Sequence, residues 1–166
     1  MTLTARVESS GASRLIRNGW NGLAGVFLFL AVDEFSSLHE MLNTPVKALF
    51  SGTYGVFHFA WVIPYGILVL ILGAVYVPFL LKLPRRTAVH MVIAGVVYMS
   101  GALVSEMAGS FVADLHGGET LSYALLYTLE ETLEMLGIAC LIFTLLSHLS
   151  VEEPDIRLRI GEGRAS

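Results

Sequence analysis

Residues 23–40 read LAGVFLFLAVDEFSSLHE. The run Leu23–Val32 carries no charge, but it covers only half of the roughly 20 residues that cross about 30 Å of hydrocarbon. A helix that spans a membrane here has to take Asp33 and Glu34 in with it. Arg14 and Arg17 precede the run as they would in a signal peptide, yet no small-residue cleavage pattern follows. The reading is therefore a retained helix over residues 18–41.

The rest of the chain repeats this character. Of its 166 residues 55% are hydrophobic and 14% charged, against about 25% charged in a soluble domain, and the mean hydropathy is +0.70. Residues 54–82 form a long apolar run containing Pro64, residues 87–112 a third interrupted by Glu106, and residues 121–148 a fourth interrupted by Glu130, Glu131 and Glu134. A proline inside a membrane helix is tolerated as a kink, because neighbouring groups satisfy the freed carbonyl. The expected fold is an all-α integral membrane four-helix bundle over residues 18–150, between polar tails at 1–17 and 151–166.

Basic residues orient the bundle. Arg6, Arg14 and Arg17 precede the first span, Lys82, Arg85 and Arg86 lie between the second and third, and Arg157, Arg159 and Arg164 follow the fourth. The positive-inside rule then puts both termini in the cytoplasm. The connections 41–53 and 113–120 face outward, and Lys47 is the only Lys or Arg in them.

The acids are placed differently. Between Asn18 and Ser150 nine acids accompany only four Lys or Arg residues. At about 1.5 Å per residue from the cytoplasmic boundary, Asp33 and Glu34 lie at ~22–24 Å, Glu40 at ~33 Å, Glu106 at ~28 Å and Glu130, Glu131 and Glu134 at ~22–28 Å. Seven carboxyls from three helices thus share one layer in the outer, periplasmic half. Helical spacing groups Asp33, Ser37 and Glu40 on one face flanked by Glu34 and His39, and groups Tyr123, Tyr127, Glu130, Glu131 and Glu134 on another. The second span adds His58, Trp61 and Tyr65. Gly101, Ser105 and Gly109 form a small-residue seam for close helix packing, within one chain or between two copies or subunits.

Intramembrane carboxylates are costly and mark functional sites, and protons, histidines or bound cations have to neutralise them. Carboxylates and imidazoles projecting inward from four helices hold di-iron or di-manganese centres in some bundles. The expected ligands are Glu34, His39, Glu40, His58, Glu106, Glu131 and Glu134, with Asp33, Glu130, Ser37, Tyr127, Tyr65 and Trp61 around them. Oxygen-rich sites with one or two imidazoles favour iron or manganese, and zinc or calcium also fits this donor chemistry. A haem between His39 and His58 would leave the acids unexplained. The spacing Glu131-x-x-Glu134 departs from the Glu-x-x-His of di-iron bundles.

Three further readings stay open: hydrated acids at the outer interface above shorter spans, a proton relay or cation pathway, and a non-enzymatic membrane subunit. An enzyme here would act on an apolar or lipid substrate arriving from the bilayer, by redox chemistry or by hydrolysis. A net charge of −4 without a basic cluster argues against a nucleic-acid partner. The single cysteine, Cys140, excludes an internal disulfide and reads as a small buried apolar residue.

FLAVDEFSSLHE, GALVSEM and LEETLEMLG together resemble a pattern of uncharacterised four-span bacterial membrane proteins, in which an acidic pair is followed after four residues by His-Glu. The resemblance covers the first, third and fourth helices. It implies a site at Asp33, Glu34, His39, Glu40, Glu106, Glu130, Glu131 and Glu134, and no particular activity.

Overall fold

A computed structural model describes residues 14–50 and 52–152 of the chain. The described elements are helical: α1 (Arg14–Ser36), α2 (Leu38–Met41), α3 (Asn43–Leu49), a 3₁₀ turn (Gly55–Phe57), α4 (Val62–Leu80), α5 (Arg85–Met99), a π-helical segment (Ser100–Ser105), α6 (Glu106–His116) and α7 (Leu121–Glu152). With α5, the π segment and α6 counted as one rod, four helices are long and apolar enough to cross a membrane: Arg14–Ser36, Val62–Leu80, Arg85–His116 and Leu121–Ser150. Residues 1–13 and 153–166 of the expected tails, with Arg6, Arg157, Arg159 and Arg164, lie outside the described residues.

Large apolar side chains cover the outside of this bundle. Phe35 is 93% exposed, Leu81 79% and Leu70 75%, which is far from the small apolar patches of a water-soluble surface. The largest packed cluster lies at one end, where α4 ends, α5 starts and α7 ends, and a smaller buried group, Ala60, Trp61 and Val62, lies at the other. At the first of these Trp20, Phe79, Leu83, Met91, Ala94 and Leu141 form a buried cluster. Trp20 meets Phe79 edge-on at 5.1 Å and lies over His148 at 5.5 Å. His148 Nδ1 is 3.3 Å from Thr87 Oγ1, which ties the first turn of α5 to the end of α7.

Glycines set how closely the rods approach. A Cβ at Gly101 would fall 2.7 Å from the Glu130 carbonyl oxygen on α7, and one at Gly137 would fall 2.7 Å from the Tyr98 backbone nitrogen on α5. Gly101, Ser105 and Gly109 are buried along the rod that packs on α7, as the small-residue seam requires. Gly137, the matching glycine on α7, has no small partner four residues away that would announce it. On the other side α1 rests on α4 through Gly19 and Gly22, beneath Phe79 and the Tyr76 hydroxyl. Beyond these contacts α1 and α4 diverge from the α5–α7 pair.

Several expected boundaries change. The first helix already includes Arg14, inside the expected tail, and breaks at Ser37 instead of running to residue 41. Ser37 adopts φ 49°, ψ 41°, a left-handed conformation. Two serines in succession are weak helix formers, and the Asp33 carboxylate captures the His39 N–H that would otherwise serve a helical ladder. The second helix starts at Val62, not at residue 54. Gly55 at φ 60° turns the chain before it. Pro64 consequently sits in the first helical turn, where its missing N–H has no ladder partner to lose, so it does not act as the expected kink. The third helix runs on to His116 and stops at Gly117, whose φ of 82° suits a glycine ending a helix. Cys140 is exposed on the apolar outer surface and is not the buried residue expected.

Candidate functional site

Away from the packed end the bundle is hollow. A cavity of about 780 Å³ lies between α1, α4, the α5–α6 rod and α7. All seven acids of the expected layer line it: Asp33, Glu34, Glu40, Glu106, Glu130, Glu131 and Glu134. His39, Ser37, Trp61, Tyr65 and Tyr127 line it too, whereas among the described residues no Lys or Arg does. Glu34, Glu40 and Glu131 are exposed, so the acidic end has a mouth.

The break at Ser37 builds one corner. Because the chain turns there, His39 comes back over Asp33, donating its backbone N–H to Oδ1 at 2.9 Å and placing Nδ1 3.1 Å from Oδ2. Tyr65 on α4 donates its hydroxyl to the same Asp33 Oδ1 at 2.8 Å. Asp33 is only 5% exposed and has three partners, which is what a buried carboxylate requires. His39 stacks against Trp61 at 4.6 Å, and Trp61 meets Tyr65 edge-on at 5.2 Å.

Trp61 joins this corner to the opposite wall. Its backbone N–H donates to Asn43 Oδ1 at 3.2 Å and its indole Nε1–H donates to Glu106 Oε1 at 3.1 Å. Glu106 also stands against Glu130 across the α6–α7 contact. Two carboxyls placed in this way need a proton between them or a cation beside them.

The π segment aims Glu106. In a regular helix, residues eight apart are about 80° out of phase, and the wider π turn removes most of that drift. Tyr98, Ala102 and Glu106 therefore all reach the cavity from one rod. Ser105 supports the wide turn by donating its hydroxyl to the Ser100 carbonyl, five residues back, at 3.2 Å.

His58 is not brought to the cavity, against expectation. Its Nδ1 lies 3.0 Å from Asp114 Oδ1, and Asp114 Oδ2 accepts the Gly55 N–H at 2.8 Å. One turn earlier Ser110, fully buried, accepts the Phe59 N–H at 2.8 Å and donates to the Gly55 carbonyl at 3.3 Å. Ser110 and Asp114 thus clamp the 55–59 turn onto α6 and hold Trp61 in place. The second span does not continue through this turn, so helical spacing from Trp61 does not predict where His58 points.

The expected metal shell is not preassembled. Among the described residues, no three His, Cys, Asp or Glu side chains converge at metal-ligand spacing. His39 and Asp33 are engaged with each other, Glu106 with Trp61, and His58 with Asp114. The sequence reading also passed over Asn43, Phe59 and Tyr98 as lining residues. Asn43 opens the short helix α3 and Phe59 lies in the irregular connection before α4, both outside the periodicity of the long spans, and Tyr98 lies on α5 just ahead of the π turn.

Fold and cavity together define a helical bundle with four long apolar helices and an internal acid-lined chamber. The chain belongs to the family described as Domain of unknown function (DUF8692), whose model matches residues 1–149. No curated protein matches the chain, and no solved structure does.

Proposed function

We propose that this is an integral membrane protein that binds cations, with a divalent metal, iron or manganese first, held in the acidic end of its cavity. One observation carries the reading: seven carboxyl-bearing side chains, six from three long helices and Glu40 from the short α2, line a single cavity with no Lys or Arg beside them among the described residues. Inside a bilayer such groups need positive charge or protons, because their desolvation is otherwise uncompensated. Glu106, Glu130 and Glu134 stand on facing rods and are the central ligands, with Glu34, Glu131, Glu40 and His39 reaching in from the mouth. Closing the shell takes side-chain rotation about Glu106, whose present partner is Trp61. By the positive-inside rule the cavity faces the periplasmic half of the bacterial inner membrane.

A bound metal would supply Lewis acidity or redox chemistry to a substrate entering from the lipid. The test is elemental analysis of protein purified in a non-ionic detergent, with about one or two equivalents of iron, manganese or zinc expected. Folded protein that holds no metal and takes up none when offered it overturns the metal.

The second reading, a protein that shares or relays protons through the same acids, is favoured by the closeness of Glu106 and Glu130 across the α6–α7 contact and by the lack of a preassembled shell among the described residues. It predicts proton uptake on reconstitution without any metal.

A further inference from the structure

The acids occupy only one end of the cavity. From Gly22 to Asp33 its wall runs about 16 Å along α1 at the helical rise, and below Asp33 that wall is Gly22, Gly25, Val26, Phe29 and Leu30. Leu68, Val69 and Leu72 of α4 line the cavity on the same apolar side, while Met99, Ala102 and Leu103 flank Gly101, which packs against α7 at the level of Glu130 and Glu134. A Cβ on Gly25 would meet nothing within 4 Å, so the space beside it is open. The chamber therefore has two chemistries: an apolar arm within the span, and an acidic end walled by the aromatic faces of Trp61, Tyr65, Tyr123 and Tyr127. Its volume lies in the range that encloses a small organic ligand.

We infer that the cavity binds a long-chain amphiphile with an ammonium head and no phosphate. The chain lies in the arm between α1 and α4, and the head lies among Glu34, Glu40 and the Trp61 and Tyr65 rings. Charge complementarity selects the head. Carboxylates attract an ammonium, and aromatic faces add a cation–π attraction that grows where water is excluded. A phosphate or sulfate head would stand among carboxylates with no Lys or Arg in the lining to meet it. The apolar arm selects the tail, since a soluble cation would leave it without contacts. This inference names a substrate class for the proposed cation site and shares its acidic end, but it stands on the arm and the aromatic wall, which a metal does not use.

The experiment titrates the full chain in maltoside detergent with dodecyltrimethylammonium, followed by calorimetry and native mass spectrometry. The probes for comparison are tetramethylammonium, dodecylphosphocholine and dodecyl sulfate. Saturable binding of one dodecyltrimethylammonium per chain is expected, at least about tenfold tighter than any of the three. Gly25→Phe fills the arm and is expected to weaken that binding by about tenfold or more, while Gly95→Phe, equally open but outside the cavity, leaves it unchanged. Equal affinity for all heads, equal affinity for tetramethylammonium, or indifference to Gly25→Phe in a folded variant each overturns the proposal. Metal content measured on the same samples separates the two readings. Metal without amphiphile binding sinks this inference alone, and amphiphile binding without metal sinks the metal alone.

Discussion

His39 lies folded back on Asp33, its ring nitrogen 3.1 Å from one carboxylate oxygen and its backbone N–H 2.9 Å from the other. A continuous helix cannot make this pair, because six residues apart they stand about 120° around the helix and about 9 Å along it. The break at Ser37 makes it and so converts a helix end into a wall of the cavity. Tyr65 completes the knot from α4, which makes Asp33 the point where the two loosely associated helices are joined at the hollow end.

Replacing Asp33 removes acceptors from three donors at once. Asp33→Ala is expected to cost about 1–3 kcal/mol, as buried partners left unpaired do, whereas Tyr65→Phe, which deletes one bond, costs about 1 kcal/mol. Unfolding in detergent, followed by helical circular dichroism, reads both. An Asp33→Ala protein as stable as the parent would show that the knot does not hold α1 to α4.

Ser37 sits in left-handed space that side chains resist. Ser37→Gly is expected to keep the turn with stability unchanged or raised by up to about 1 kcal/mol, and Ser37→Val to lose about 1–2 kcal/mol. The same unfolding measurement decides this, and identical behaviour of the two variants would contradict the turn.

The glycine contacts separate by what a methyl group would meet. Gly101→Ala and Gly137→Ala drive a Cβ into backbone of the facing helix and are expected to destabilise by about 1–3 kcal/mol. Gly95→Ala meets nothing within 4 Å and gains the helix propensity of alanine, about 0.5–1 kcal/mol. Thermal midpoints of the three variants should therefore fall on both sides of the parent.

His58 and Glu106 also make opposite predictions. His58→Ala breaks the bond to Asp114 and loosens the 55–59 turn, so faster protease cleavage near residues 52–60 is expected with metal content intact. Glu106→Gln is expected to lower metal content by half or more without affecting that cleavage. Loss of metal on removing His58 would return it to the ligand set from which its position excludes it.

Much of the candidate site was legible because hydropathy and helical rise are local properties. Asp33, Glu106 and Glu134 interrupt apolar runs that have to be helical, and counting residues along each run placed their carboxyls at one level. The Gly101, Ser105 and Gly109 seam followed from spacing alone, and it is buried against α7. Where the backbone leaves the regular helix the count fails. It assigned His58 to the acids through a helix that does not begin until Val62, and it carried α1 through Ser37.

The sequence by itself determined four long apolar helices, the gathering of seven acids toward one end and the shortage of basic residues there, since each depends only on the order of residues along a rod of known rise. Tertiary structure decided the rest. Which carboxyl meets which partner depends on the left-handed turn at Ser37, the wide turn at Ser100–Ser105 and the clamp on Gly55, each made by contacts between residues distant along the chain or by a local departure from 3.6 residues per turn. The apolar arm is likewise a property of the assembled bundle. It lies between the contact of α1 and α4 through Gly19, Gly22 and Phe79 at the packed end and their contact through Asp33 and Tyr65 at the other, and a space between helices is recorded in neither helix alone.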